Sequence, residues 1–147
     1  MCLSNVKEIK LDFDKTVYKV LRKEIDEDGR VTYHSPYIDI MSWEETVRNS
    51  VQNEVRLKGS EISEGAYHSF MLLHAAMSEA ELLNELTTKI TKCSDDLLFN
   101  TFPLVSYVVG EFIIPKDSKY VYEGEYVGVG TANTGYASSD LIFKKAL

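Results

Sequence analysis

An Asp28-Gly29 pair sits between two β-rich runs, Val17 to Ile25 and Arg30 to His34. This pair constrains the fold more than any other feature, because Asp-Gly supplies the positive φ angles that a tight antiparallel connection needs. The spacing predicts a β-hairpin over 17–34, with Val31 and Tyr33 on one face. Ser35-Pro36-Tyr37 closes the unit, since the residue before a proline is driven toward extended geometry.

Two capping boxes follow, each a serine with glutamate three residues later, able to satisfy the orphan amides of a helix start. Ser42-Trp43-Glu44-Glu45, with Trp43, Val47, Val51 and Val55 at intervals of four, predicts a helix over 43–53. Ser78-Glu79-Ala80-Glu81 predicts a helix over 79–92, with Leu83, Leu86 and Ile90 as its buried stripe and Leu82 beside it. Glu79, Glu81 and Glu85 precede Lys89 and Lys92 there, an order that suits the helix dipole.

The remaining chain, 104–143, is rich in β-formers. Leu104 to Ile114 reads as a long strand, stopped by a turn at Pro115-Lys116-Asp117-Ser118. Short strands are expected at 119–122 and 125–129 around Gly124, then a flexible loop over Gly128 to Gly135, then a last strand from Tyr136 to Phe143. Strands at both ends and helices between them give an α+β class, mainly antiparallel, with one or two packed helices. A chain of 147 residues forms a single domain over 1–147 with an ordinary core.

The net charge of −7 and a pI near 5.0 disfavour duplex nucleic acid, whose binding is driven by clustered cations. The basic clusters are small, at Lys19, Arg22 and Lys23 and at Lys144 and Lys145. No run reaches the roughly 18–20 apolar residues of a membrane span, so no membrane partner is expected. The N-terminus shows no apolar core behind a basic start, and Cys2 and Cys93 are too few for a disulfide framework. A reducing cytoplasm is the simple reading.

Glycine-rich GVGTANTG is followed by a strand rather than a helix, so it reads as a hairpin loop and implies no nucleotide fingerprint. His34, His68 and His74 lack metal-ligand spacing, and Ser69 lacks the GxSxG surroundings of a nucleophile elbow. Neither metal, cofactor nor catalytic set is implied. Two polar-aromatic stretches carry more interest: Gly65 to Phe70, with His68 and Ser69, and Tyr136 to Asp140, with Ser138. If they line one cleft together with Tyr18 and Arg22, the aromatics would stack on a ring and Arg22 and Ser69 would take polar or phosphate groups. The competing reading makes His68 and Ser69 ordinary half-buried strand residues and Asp140 a turn cap.

The collinear set Met1-Cys2-Leu3, Tyr18 to Leu21, Ser35 to Tyr37, Gly65 to Phe70, Ile114 to Tyr120 and Tyr136 to Phe143 resembles a widespread family of small phage and gut-bacterial proteins. That family carries no established activity to transfer. A more distant similarity is to ADP-ribosyltransferase domains, through Tyr18-Lys19, His68-Ser69 and Ser139-Asp140. Lysine stands where arginine or histidine is expected, and Asp140 where glutamate is expected. A catalytic group misplaced by about an ångström can cost a hundredfold in rate, so the resemblance implies a degenerate scaffold that binds without turnover.

The expected function is therefore a non-enzymatic, phage-type accessory protein in the host cytoplasm. It would bind a small ligand, a nucleotide or nucleotide-derived defence signal, through Tyr18, Arg22, His68, Ser69, Tyr136, Ser138 and Asp140. Two other classes compete: an NAD-consuming ADP-ribosyltransferase-like enzyme, and a self-associating virion or interaction subunit using the edge of strand 104–114.

Overall fold

Asp26 organises the first hairpin more than the Asp-Gly pair does. Its carboxylate Oδ1 accepts the backbone N–H groups of Asp28 and Arg30, each at 2.9 Å, while Gly29 takes φ +80°. In the computed structural model, described for residues 3–36, 41–51, 57–59, 61–62, 65–93, 102–127 and 132–147, this turn joins the second and third of twelve strands. In chain order these are β1 (Leu3–Glu8), β2 (Lys15–Ile25), β3 (Val31–His34), β4 (Ser42–Trp43), β5 (Arg48–Ser50), β6 (Leu57–Lys58), β7 (Glu61–Ile62) and β8 (Tyr67–Phe70). The helix α1 (Leu73–Cys93) follows, then β9 (Leu104–Ile114), β10 (Val121–Val127), β11 (Ala132–Ser138) and β12 (Asp140–Ala146).

The α+β class and the antiparallel pairing are as the sequence predicts. The sheet runs β5-β12-β9-β2-β8-β11-β10-β1-β7-β6, with β3 and β4 extending from β2. β2 and β9 pair over their whole length, Lys15 opposite Ile114 through Ile25 opposite Leu104. β2 meets β8 at one register pair, Tyr18 opposite Phe70.

Covalent geometry shows that the sheet folds back on itself between β12 and β11, a span that includes that junction. Only Ser139 separates β11 from β12, so Ser138 and Asp140 lie within about 7 Å of each other. In a flat sheet the four intervening strand spacings would hold them roughly 19 Å apart. The two halves therefore face each other. Val17, Leu21, Phe112, Ile114, Leu141 and Phe143 from one half and Val121 and Tyr136 from the other form the core between them. A second core lies under α1, where Ala75, Ala76 and Ala80 pack on Val20, Phe70, Val109, Tyr126 and Ala137.

Three expectations need correction. The helix over 43–53 is absent from its described part: Trp43 pairs with Tyr33 in β4, and Arg48–Ser50 pairs with β12. Thr46 takes φ +67° between them. Trp43 is 2% exposed, its indole donates to Ser35 Oγ at 2.9 Å, and its ring meets Phe112 and Tyr67 edge-on. Burying that ring in the core outweighs a local capping motif. Residues 52 and 53 lie outside the described residues.

α1 begins at Leu73, not at 79, so Ser78 lies inside it. Alanines and Leu83 face the sheet, whereas Leu82 and Leu86 are 55% and 47% exposed. The side chain of Ile90 lies outside the described residues. Ala75, Ala76 and Ala80 fill the sheet-facing positions with Leu83, which leaves Leu82 and Leu86 outward.

β10 runs unbroken through Gly124, and residues 132–135 of the expected loop belong to β11. A Cβ on Gly124 would meet Ser4 O at 2.7 Å and Leu3 Cγ at 2.9 Å, so this glycine admits β1 rather than separating two short strands. Residues 128–131 lie outside the described residues. No described helix is long and apolar enough to cross a membrane.

Candidate functional site

β8 and β11 do lie side by side, with Ser69 opposite Tyr136, Ala137 opposite His68 and Ser138 opposite Tyr67. Alternation then separates the expected ligand residues, because neighbours along a strand point to opposite faces. Ser69 and Tyr136 share the face between the half-sheets, where they are 2% and 1% exposed. Lys15 Nζ lies 5.3 Å above the Tyr136 ring. Ser69 Oγ is buried with no hydrogen-bond partner among the described residues.

His68 faces the core under α1. Its Nδ1 lies 3.1 Å from Ala66 O and its Nε2 3.4 Å from Ile62 O. Burial and the nearby Lys19 ammonium lower its pKa, outweighing those carbonyls. Lys19 itself donates to His68 O at 2.9 Å, and burial lowers its pKa to about 8 against the pull of Glu79. Tyr18 is half-buried in the same core beside Phe70. Arg22 lies farther along β2, opposite His34, with its Nε 3.2 Å from Glu24 Oε1.

Asp140 is the best-held of the seven. Its Oδ2 accepts from Arg48 Nε and Ser50 Oγ, both at 2.7 Å, and its Oδ1 from Ser139 Oγ at 2.6 Å. Burial opposes the charge, yet the bonds from Ser139, Ser50 and Arg48 prevail and hold the carboxyl below its ordinary value. Ser138 Oγ donates to Asp140 O at 2.9 Å. Arg48 also reaches Asp117 at 3.1 Å, so one guanidinium fastens β5 to β12 and to the 115–118 turn.

Two pairs are thus brought together, Ser69 with Tyr136 and Ser138 with Asp140. The seven residues do not share one solvent-open cleft. Among the described residues no group of three or more His, Cys, Asp or Glu could hold a metal ion.

An apolar opening lies elsewhere. A groove of about 980 Å³ runs between α1 and β9, walled by Leu73, Met77, Ala80, Glu81, Asn84 and Glu85 and floored by Tyr107, Val108, Val109 and Leu147. Leu73, Met77 and Leu147 are 37%, 54% and 54% exposed in it. Starting the helix at 79 hides this wall, because Leu73 and Met77 then fall before it. Their spacing of four, continued at Glu81 and Glu85, was the available signal. A second crevice, of about 530 Å³, gathers Lys10, Lys116 and Lys119 with Glu8 and Asp117.

No family model matches the chain, and neither does any curated protein or solved structure.

Proposed function

We propose that this chain is a non-enzymatic, phage-type accessory protein that works by binding, and that the groove between α1 and β9 is where it binds. The observation that carries this reading is the set of exposed Leu73, Met77 and Leu147 around a volume of about 980 Å³, a size suited to ligands and partner side chains. The phage-type, host-cytoplasmic part rests on the sequence resemblance. Nile red, an uncharged apolar dye, tests the groove. Fluorescence enhancement by the full chain that falls in Leu73→Gln and Met77→Gln supports the reading, and equal enhancement in both variants overturns it.

The nucleotide reading has its own supporting observation in Lys10, Lys116 and Lys119, whose charge outnumbers that of Glu8 and Asp117 around their crevice. A nucleoside diphosphate held there raises Tm with concentration. That rise would disappear in Lys116→Ala/Lys119→Ala; a flat response to millimolar nucleotide removes the reading. The degenerate ADP-ribosyltransferase scaffold rests on the order of Tyr18, Ser69 and Asp140, and NAD turnover sensitive to Asp140→Ala is its test.

A further inference from the structure

We infer that the α1–β9 groove receives a cationic amphipathic helix of a partner protein. The inference rests on the groove reading and specifies its occupant.

The backbone of the floor decides between a strand and a helix. Both polar groups of Tyr107 are engaged by the Asn84 side chain, whose Nδ2 donates to Tyr107 O and whose Oδ1 accepts from Tyr107 N, each at 2.8 Å. Val109 O accepts from Leu147 N at 2.8 Å. An added strand gains affinity from main-chain bonds, and the floor has none to give at these groups. A helix satisfies its own backbone and needs only apolar side chains to seat. Leu73, Met77 and Ala80 offer such a surface, and Leu73 to Glu85 spans about 18 Å, room for roughly three turns.

Charge decides between partners. Glu81 and Glu85 are exposed, one helical turn apart on the wall of the groove. Carboxylates at that spacing favour Lys or Arg along the edge of the incoming helix. A second copy of α1 is the poorer match, since the whole helix carries three acidic residues, Glu79, Glu81 and Glu85, against Lys89 and Lys92. The protein's net charge of −7 adds repulsion between copies.

The test is fluorescence anisotropy of the full chain with two labelled synthetic peptides of about 18 residues, long enough for helix formation. Both are amphipathic, one of Leu and Lys, the other of Leu and Glu. The Leu-Lys peptide is expected to bind and the Leu-Glu peptide not. Glu81→Lys/Glu85→Lys should weaken the Leu-Lys complex by at least about threefold. Asp12→Lys/Glu27→Lys, exposed positions with the same change in total charge, should leave it unaltered. Equal weakening by both double variants would mean that only overall charge is read, and it overturns the inference. Equal binding of the two peptides, with loss in Met77→Gln, overturns the cationic occupant but leaves the groove reading standing. An alternating Val-Lys strand peptide that binds more tightly overturns the helix. A concentration-dependent dimer abolished by Met77→Gln makes the occupant a second copy and overturns the partner. No peptide binding overturns the inference, while the dye result separately decides the groove.

Discussion

The Asn84 side chain binds the backbone of Tyr107 twice, as a neighbouring strand would, with both bonds at 2.8 Å. On that side of β9, Ala146 pairs opposite Gly110, Leu147 N reaches Val109 O, and Asn84 takes both backbone groups of Tyr107. An amide is the one side-chain group carrying a donor and an acceptor at the separation a peptide unit presents.

Asn84→Ala is therefore expected to lower stability by about 1–3 kcal/mol, the cost of two lost bonds to half-buried groups. Asn84→Asp should cost a similar amount, because a carboxylate keeps the acceptor and faces Tyr107 O with no donor. Urea unfolding at neutral pH measures both. If Asn84→Asp keeps wild-type stability, the amide is not acting as a surrogate strand.

Ser69→Ala should leave stability unchanged or raise it by up to about 1 kcal/mol. The hydroxyl is buried without a partner among the described residues, so its removal relieves a desolvation cost and breaks no bond to them. A loss above about 1 kcal/mol in thermal or urea unfolding would mean that Ser69 has a partner in solution, such as an enclosed water.

Strand chemistry in the sequence was legible where it is local. The Asp28-Gly29 hairpin and the length of β9 follow from turn residues and β-formers. What escaped depends on contacts far apart in sequence. Trp43 leaves its helical spacing because Phe112 and Tyr67 offer it a core. Gly124 sits within one strand rather than between two short ones because β1 lies against it. Asp140 could be singled out as a carboxylate at a strand entrance. Its partners Arg48 and Ser50, some ninety residues away, could not, since the misread helix over 43–53 placed neither on a strand beside it.

Asp140→Asn should destabilise the protein by about 1–3 kcal/mol at pH 7, since a neutral amide weakens the bonds from Arg48, Ser50 and Ser139. The wild-type carboxyl has a lowered pKa in the folded state. Its contribution is therefore complete above the unfolded value near 4 and is lost as pH falls below it. The gap between wild type and variant should narrow from pH 5 toward pH 2, read as the difference in urea midpoints. A constant gap across that range would sever Asp140 from the acid limb.

Lys19 works in the alkaline range with the same sign. Burial lowers its folded pKa to about 8 from the ordinary 10.5, so the folded state holds a proton less readily than the unfolded one. Its contribution to stability is fully present above the unfolded value and is lost as pH falls through the folded one. Lys19→Met keeps the apolar stem and removes the ammonium. It should stabilise the protein at pH 7 by about 1 kcal/mol or more, although the bond to His68 O is lost. Between pH 8 and about 9.5 the wild type should gain on the variant. Above about pH 10 the buried Tyr126 phenol, whose pKa burial raises, opposes further gain in both proteins. Urea midpoints of the two proteins at pH 7, 8 and 9.5 give the comparison. Parallel profiles would show that the amine keeps its ordinary pKa in the fold.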